Sequence, residues 1–356
     1  MTDWTLHPCL SQVEALTEID AERRATLRDG PDDHATYRAA LNTISALQEV
    51  EVGGPAPQAV GATGHLRVVA WNVERLRYLQ PVADTLTGAA ADVCLLTEID
   101  KGMARTGNTH RTAELAALIG QGYAYGAEFI ELDRGTTRER NAHADTENAL
   151  GFHGNAVLSR LALQRPALFR LETEGKWFGW DRDEPRVGGR LAIGGQVLLD
   201  GVAVTLVAVH LESHSDPDHR AGQVARLMDL IDLYDPNAPL LIGGDFNTST
   251  MGRGPDGFAR PDLRNDPLRL LRVEPHEPLF AMMAARGFDW TACNVPDAPT
   301  QRFPAADMPR PLGKIDWIFT RGLLADEPTV LPALCPDGTP SSDHEGLFVR
   351  VRLAQN

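Results

Sequence analysis

The stretch LIGGDFNTST, at residues 241–250, says most about how this chain folds. Its apolar residues predict a buried strand, and the glycines after them lead to Asp245 and Asn247 at the carboxyl end of that strand. A carboxylate and a carboxamide held side by side at a strand tip are suited to polarising a phosphate ester. The run SDH, at residues 342–344, repeats this placement near the end of the chain.

Length and composition indicate a soluble globular protein. The 356 residues, 43% of them hydrophobic, suffice for one large domain or two ordinary ones with a substantial core. The first residues, MTDWTLHPCLSQ, lack a basic region followed by an apolar stretch, and no apolar segment approaches the roughly 20 residues that cross a bilayer. We therefore expect no transmembrane segment and a cytoplasmic location.

The charge balance bears on the class of partner. A net charge of −15 repels polyanions, since sequence-independent binding to nucleic acid depends on Lys and Arg replacing condensed cations. A local basic patch or a bound divalent metal could still reverse the field at one site, so a nuclease stays open. The scattered cysteines have no metal-type spacing, and we expect four free thiols. They are Cys9, Cys94, Cys293 and Cys335.

The chain divides into three predicted parts. Residues 1–50 show helix-like apolar spacing broken by the turn-rich DGPDD, which predicts a helical extension of two short helices. Residues 51–65, rich in Gly, Pro and Ala, predict a linker or a surface loop. In residues 66–356, strand-like and helical runs alternate, and Asp200-Gly201 is a hairpin signal. This mixture predicts packed sheets with helices outside.

Polar side chains occur at or just beyond the ends of apolar strands. Burying them in the middle of a short strand is costly, so their gathering at one edge would form a polar site on a rigid scaffold. Each has a plain alternative: Asn72 as a turn or capping residue, Glu98 as a solvated strand end, Asp245 as a loop-stabilising acceptor. The joint pattern favours a site. Its members are Asn72, Glu98, His210, Asp245, Asn247, Asp343 and His344.

Short motifs follow one another in a specific order between about residues 66 and 354. They are WN at 71–72, TE at 97–98, GNAVLS at 154–159, HL at 210–211, GDFN at 244–247, IDWI at 315–318 and SDH at 342–344. In this order they resemble the endonuclease/exonuclease/phosphatase superfamily, which includes pancreatic-type deoxyribonuclease, abasic-site endonucleases, inositol polyphosphate 5-phosphatases and neutral sphingomyelinases. The resemblance implies an α/β fold, a four-layer sandwich of two packed mixed β-sheets flanked by helices, with residues 66–356 as the catalytic domain.

The resemblance also implies a metal cofactor. Carboxylate and carboxamide oxygens are hard ligands, which favour Mg²⁺ or Mn²⁺. Glu98 is the leading metal ligand, with Asn72 and Asp343 beside or behind it. Whether one or two metal ions bind stays open.

Catalytic roles carry over from the same resemblance. His344 would be the catalytic histidine at the scissile phosphate, oriented by Asp316, since a carboxylate raises the basicity of an imidazole and fixes its tautomer. Asp245 would activate or position the attacking water, and Asn247 would bind a phosphate oxygen. His210 would face the leaving oxygen as an acid or a phosphate ligand. Whether His344 or Asp245 takes the proton stays open.

Arginines near the predicted site are candidates for binding phosphate. Arg105 lies in the polar segment after Glu98, and its alternative is a solvated loop leading into a helix. Arg186 and Arg190, with Arg182, surround a Pro and a Gly-Gly pair, and arginine suits forked contact with phosphate oxygens. The alternative for this group is surface pairing with neighbouring acids.

Two further positions bear on substrate choice. His153 precedes the GNAVLS motif where abasic endonucleases place a tyrosine nearby, so it either replaces a phenolic donor or is satisfied by local backbone. This departure weakens any transfer of abasic-site specificity. Asn155 in the motif is a further substrate-binding candidate. Trp177 and Trp180 would either pack or stack on part of the substrate.

The expected activity is metal-dependent hydrolysis of a phosphodiester or phosphomonoester by in-line attack of water. The acidic balance favours a small or lipid-linked phosphate ester over nucleic acid, and a Mg²⁺-dependent DNA endonuclease or exonuclease is the alternative. A non-catalytic binding protein on the same fold is disfavoured, because Glu98, Asp245, Asn247 and His344 are all present. The sequence leaves the oligomeric state open.

Overall fold

The computed structural model describes residues 4–179, 183–248, 266–302 and 312–354, and the backbone of residues 253–254 and 257–258. Within these residues the chain forms seven α-helices and seventeen strands. The helices are α1 (Ala21–Asp29), α2 (His34–Thr43), α3 (Leu79–Gly88), α4 (Arg111–Ile119), α5 (Thr137–Ala142), α6 (Pro217–Tyr234) and α7 (Pro278–Ala285).

The seventeen strands lie between Ser11 and Leu353. They are β1 (Ser11–Val13), β2 (Glu49–Gly53), β3 (Gly61–Ala62), β4 (Leu66–Arg75), β5 (Val93–Lys101), β6 (Gly122–Glu131), β7 (Phe152–Ser159), β8 (Gln164–Arg170), β9 (Arg186–Gly188), β10 (Leu191–Leu199), β11 (Val202–His210), β12 (Leu240–Asp245), β13 (Arg253–Gly254), β14 (Gly257–Phe258), β15 (Asp316–Arg321), β16 (Leu323–Leu331) and β17 (Gly346–Leu353).

Two mixed sheets contain nearly all of these strands. The nine-stranded sheet has the order β1-β2-β6-β7-β5-β4-β17-β16, with β9 paired to β6. The six-stranded sheet has the order β15-β12-β11-β10-β3, with β8 paired to β10. Strands β13 and β14 form a separate pair. Parallel and antiparallel neighbours occur in both large sheets.

The two sheets pack face to face, and helices cover their outer faces. Helices α1 to α4 pack on the nine-stranded sheet, and α6 and α7 pack on the six-stranded sheet. Strand β5 shows the consequence: Val93 and Leu95 face the other sheet, whereas Cys94 and Leu96 face the helices. Both sides of this strand are buried, which explains its continuous apolar run. The arrangement confirms the predicted four-layer fold.

The N-terminal segment contains the two helices expected there, α1 and α2. It also contributes two strands that the sequence did not predict: β1 pairs with β2, and β2 pairs with β6. Strand β2 crosses the expected boundary at residue 50, so residues 49–53 belong to the nine-stranded sheet. The division into extension, linker and catalytic domain stays a prediction. In the described part of the chain, every helix lacks the length and apolarity that membrane crossing requires.

The expected hairpin at Asp200-Gly201 is present. It joins β10 to β11, which pair antiparallel from Leu199 and Val202 outward. Both turn residues have positive φ, 50° and 79°, as the tight turns preferred in two-residue hairpins require.

Gly243 lies where the six-stranded sheet packs tightly on the nine-stranded sheet. A Cβ added there would lie 2.8 Å from Ala70 Cβ and 3.3 Å from Ile318 Cγ1. We expect Gly243→Ala to lower the free energy of unfolding by about 1–3 kcal/mol, because an extra methyl overfills this packed layer. Urea titration measures the change. Gly222→Ala is the matched control in α6, where a Cβ meets nothing within 4 Å. It should instead stabilise the protein, and equal destabilisation by both variants would contradict the packing argument.

Candidate active site

One edge of the sandwich collects the predicted residues of the six-stranded sheet. Asp245 ends β12 and pairs in parallel register with His210, the last residue of β11. On its other side, Asp245 is opposite Asp316, the first residue of the antiparallel strand β15. Strand pairing alone therefore brings these three side chains together at one edge.

Irregularities in the nine-stranded sheet turn Asn72 and Glu98 to the same edge. The register between β4 and β5 shifts after Asn72, and the register between β5 and β7 shifts between Leu96 and Ile99. Glu98 itself has a φ of 58°, which is uncommon for a residue with a side chain. Such bulges re-aim side chains next to functional sites.

Asn72 links carboxylates from the two sheets. Its Nδ2 donates to Glu98 Oε1 at 3.1 Å and to Asp245 Oδ2 at 3.2 Å. Its Oδ1 accepts a hydrogen bond from the Glu74 backbone N–H at 3.1 Å. The buried amide is thus fully engaged, and it holds Glu98 and Asp245 side by side.

His344 lies next to Asp245 and is oriented by Asp316. Its Nδ1 is 2.9 Å from Asp316 Oδ2, and because a carboxylate only accepts, Nδ1 carries the proton. Nε2 then lies 3.8 Å from Asp245 Oδ2 and 3.9 Å from Asp343 Oδ1. The nearest ligand atoms of Asp245, Asp316 and His344 lie within 4.8 Å of one another. The imidazole is therefore held in one tautomer with its second nitrogen facing acidic groups.

The loop that carries His344 is fastened to β4. Trp71 Nε1 donates to the His344 carbonyl oxygen at 2.8 Å. Ser342 Oγ donates to the Asn72 carbonyl oxygen at 2.7 Å and accepts from the His344 N–H at 3.1 Å. These bonds place His344 next to Asn72 although the two residues are far apart in the chain.

His210 approaches Asp245 as a second histidine, with its own carboxylate partner. Its Nδ1 is 3.1 Å from Glu128 Oε2, and its Nε2 is 3.6 Å from Asp245 Oδ2 and 3.8 Å from Glu98 Oε1. Arg190 Nη1 lies 2.9 Å from both ring nitrogens and donates to Glu128 Oε1 at 2.8 Å. Sequence reasoning missed Glu128, although an acidic residue inside the apolar run YAYGAEFI was a usable signal.

The pKa values of Glu98 and Asp245 are shifted in opposite directions. Burial raises the pKa of Glu98, but the positive charges of His210 and Arg75 outweigh it and hold that pKa well below its usual value. Burial raises the pKa of Asp245, and the charge of His344 opposes it only in part. Burial lowers the pKa of His344, but neighbouring carboxylates, Asp316 first, raise it well above its usual value. Glu98 thus stays ionised, while Asp245 accepts a proton more readily than an ordinary aspartate.

The model of the endonuclease/exonuclease/phosphatase family matches residues 69–344, most of the chain. The chain belongs to this family. This membership confirms the resemblance that the ordered motifs indicated.

Individual family members and related structures are distant in sequence. The uncharacterized protein YbhP of Escherichia coli K12 is 27% identical over 203 residues, 57% of this chain and 64% of that protein's length. The matched region thus spans less than two thirds of YbhP.

Solved structures share the fold. An endonuclease/exonuclease/phosphatase from Beutenbergia cavernae superimposes with a TM-score of 0.56 at 19% identity, covering 82% of this chain and 72% of that one. One from Bacteroides vulgatus gives 0.53 at 15% identity, covering 82% and 99%. The catalytic domain of human Nocturnin, with a bound sulfate anion, gives 0.50 at 15% identity, covering 82% and 94%.

The candidate site offers oxygen ligands that fit a hard divalent cation. The side chains of Glu98 and Asp343 are 23% and 46% exposed, so both carboxylates are accessible. Asp343 Oδ1 lies 3.9 Å from His344 Nε2, and that nitrogen is 3.8 Å from the Asp245 carboxylate, which Asn72 links to Glu98. Asn72 turns its amide nitrogen, rather than its oxygen, toward the carboxylates, so its ligation of a metal stays a prediction.

Two predicted substrate-binding amides are engaged inside the protein. The Asn247 N–H donates to Asp245 Oδ1 at 2.8 Å, and Asn247 Nδ2 donates to the Leu211 carbonyl oxygen at 2.9 Å. Asn155 Oδ1 accepts from the Glu98 N–H at 3.3 Å. Asn247 thus positions Asp245 through its backbone N–H, whereas Asn155 positions Glu98 through its side-chain oxygen. Their contact with substrate stays a prediction.

Arg105, Arg186 and His153 lie in a buried ion-pair network beside the candidate site. The Arg105 side chain is 1% exposed, and it donates to acidic groups on several elements. Arg186 lies 2.8 Å from Glu131, and His153 Nδ1 lies 2.8 Å from Asp100 Oδ1. The acidic partners of Arg105 are Asp100, Glu131, Glu139 and Glu184. Substrate binding by these residues stays a prediction, while their internal pairing is what the structure shows.

Of the remaining aromatic and basic candidates, Trp177 lies within the described residues. Trp177 is buried, donates to Glu212 Oε2 at 2.8 Å and lies against the guanidinium groups of Arg186 and Arg190, so it packs within the protein. Trp180 and Arg182 lie outside the described residues.

We expect Asp316→Asn to lower the pKa of His344 by roughly one to three pH units, because the closest negative charge beside the imidazolium is removed. NMR titration of the histidine ring protons, with His344→Gln to assign the signal, measures the change. Asp297→Asn is the control, since this aspartate pairs with Arg272 on the surface. An unchanged His344 titration in Asp316→Asn would contradict the geometry described above.

Proposed function

We propose that this protein is a divalent-metal-dependent phosphoesterase that cleaves its substrate by in-line attack of water. One observation carries the proposal: Asp245 Oδ2 faces the Nε2 atoms of His344 and His210 at 3.8 and 3.6 Å, beside the ionised Glu98. The buried Asp245 has a histidine on each side, and each histidine has its own carboxylate partner. This arrangement suits proton transfers to and from a phosphate ester.

Glu98 and Asp343 are the residues that would hold the cation, with Asn72 close to Glu98. Bound there, a Mg²⁺ or Mn²⁺ ion would neutralise charge on the phosphoryl oxygens. The chain itself supplies a rigid setting, because the Asn72 amide fixes the Glu98 carboxylate and the Asn155 side chain holds its backbone N–H.

His344 and Asp245 both qualify to take the proton of the attacking water. The Nδ1–H of His344 is bound to Asp316, so a proton gained at Nε2 would leave an imidazolium stabilised by that carboxylate. Asp245 lies between His344 and the Asn247 N–H, which orients its other oxygen. We keep both assignments open.

His210 would act on the leaving oxygen. Its Nδ1 is bound to Glu128, which leaves Nε2 as the nitrogen that faces the site. Burial and Arg190 lower the pKa of His210, but the charge of Glu128 raises it and the net direction is upward. A histidine with a raised pKa is suited to donate a proton to a departing oxygen near neutral pH.

A small or lipid-linked phosphate ester is the favoured substrate. The predicted phosphate-binding residues Arg105, Arg186 and Arg190 are buried and paired with carboxylates, which supports a substrate with few phosphates. The net charge of −15 supports the same choice. Family membership keeps a Mg²⁺-dependent DNA nuclease as the second candidate.

We expect chelation by EDTA to abolish hydrolysis and added Mg²⁺ or Mn²⁺ to restore it. In the metal-loaded protein, His344→Ala and Asp245→Ala should each lower kcat by at least about 100-fold, because each removes a positioned proton-transfer group. Initial rates with a chromogenic phosphodiester and phosphomonoester measure both effects, and thermal melting checks the fold.

His276→Ala is the control for this series, since its side chain lies at the surface, 41% exposed. It should leave kcat unchanged. Retained activity in both His344→Ala and Asp245→Ala would refute the assigned roles. A folded wild-type protein that is inert on every ester with either metal would favour a non-catalytic binding protein.

The substrate class can be tested with four esters side by side: a generic phosphodiester, a phosphomonoester, an abasic duplex and single-stranded DNA. We expect hydrolysis of one of the small esters to exceed cleavage of both nucleic acids, and to change little with added salt. Robust DNA cleavage that collapses between low and moderate salt would instead establish the nuclease alternative, because counterion release makes nucleic-acid binding salt-dependent.

A further inference from the structure

Residues 4–53 precede the part of the chain that matches the family, yet they reach the segment leading into the active site. Tyr37, in α2, is buried, and its hydroxyl donates to the Gly188 carbonyl oxygen at 2.8 Å. The Tyr37 ring also lies 5.7 Å from the ring of Phe178, and a Cβ at Gly175 would lie 2.8 Å from it. Tyr37 is thus packed against both ends of the segment from Gly175 to Gly188.

The other side of Gly188 is packed against β6. Gly188 has a φ of 117°, and a Cβ there would lie 2.3 Å from the Glu128 carbonyl oxygen. The next N–H, that of Gly189, donates to the same oxygen at 2.9 Å. The backbone at residues 188–189 is therefore held between α2 and β6, one residue before Arg190.

Arg170 reinforces this junction from β8. Its buried guanidinium donates four hydrogen bonds, all to backbone carbonyl oxygens. Nη2 donates to Leu47 at 2.9 Å and Ala127 at 3.0 Å, and Nη1 donates to Glu128 at 3.1 Å and to Gly189. One side chain thus joins the N-terminal segment, the strand that carries Glu128 and the residue before Arg190.

This junction determines the position of Arg190. Its Nη1 contacts Glu128 and both ring nitrogens of His210, its Nε lies 3.4 Å from Glu212, and its Nη2 lies 3.3 Å from Ser213. These contacts fix the rotamer of His210. They also fix the position of the Glu128 carboxylate, which sets the tautomer of His210. A displacement of Arg190 would reach the reacting geometry through His210.

We propose that the N-terminal segment is part of the active-site scaffold, with Tyr37 as a positioning residue that holds Arg190 against His210 and Glu128. The inference rests on the proposed phosphoesterase function, in which His210 acts on the leaving oxygen. A segment that only covered an apolar face would affect the stability of the protein but not the rate of the chemical step, so the two roles can be told apart.

Tyr37→Phe tests this, since it keeps the ring and removes only the hydrogen bond to Gly188. Tyr234→Phe is the matched control: its hydroxyl donates to the Arg165 carbonyl oxygen at 2.7 Å, within the packing of α6 on the six-stranded sheet. Both variants lose one bond from a tyrosine hydroxyl to a carbonyl, and we expect similar small losses in melting temperature. Only Tyr37→Phe should lower kcat, by roughly threefold to tenfold, with KM within about twofold of the wild-type value.

Hydrogen exchange measured by mass spectrometry gives a second readout that needs no activity. We expect faster exchange in peptides covering residues 186–191 in Tyr37→Phe and unchanged exchange there in Tyr234→Phe. Equal kcat in the two variants of an active enzyme would overturn the proposal while leaving the phosphoesterase function intact. If the wild-type protein hydrolyses no ester, the proposed function fails, and exchange decides the structural claim: a selective increase at 186–191 supports it, and no difference overturns it.

Discussion

One side-chain amide joins the two sheets at the edge that carries the candidate site. Asn72 Nδ2 donates both to Glu98 of the nine-stranded sheet and to Asp245 of the six-stranded sheet. Two acids brought together in a poorly solvated place would repel each other, and a shared donor offsets part of that cost. Because Asn72 bonds to an acid of each sheet, the way in which the sheets pack and the spacing of the two acids depend on each other. Gly243, where an added Cβ would meet Ala70 of the nine-stranded sheet, lies two residues before Asp245 in the same strand.

The buried arginines near this edge fix the positions of neighbouring side chains more than they add to the free energy of unfolding. Buried ion pairs contribute little net free energy compared with apolar packing, but removing one partner leaves a costly buried charge. In the network around Arg105, burial raises the pKa of Glu131 to about 8 and outweighs the charges of Arg186 and Arg105, which lower it. The result is a set of side chains whose orientation is fixed by mutual pairing. The same pairing leaves fewer cations for contact with a polyanion.

Much of the candidate site was predictable because strand ends and motif order encode it. Asp245, His210 and Asp316 are neighbours by strand pairing alone. The sequence placed Asp245 and His210 at strand ends, and the family resemblance of the IDWI motif added Asp316. We did not predict the pairing of β2 with β6. Residues 49–52 alternate Glu and Val as a strand would, but this run is short, a Gly- and Pro-rich stretch follows it, and tertiary contacts select its partner strand. The burial of Arg105 also escaped, because it depends on acids that tertiary contacts bring from distant parts of the chain.

The bond between Trp71 and the His344 carbonyl joins residues 273 positions apart. Closing so large a loop carries an entropic cost, which the packing of the sheets between the two residues must offset. Residue 344 must also have been synthesised before its carbonyl oxygen can accept this bond. A nascent chain that ends before residue 344 therefore lacks part of the candidate site.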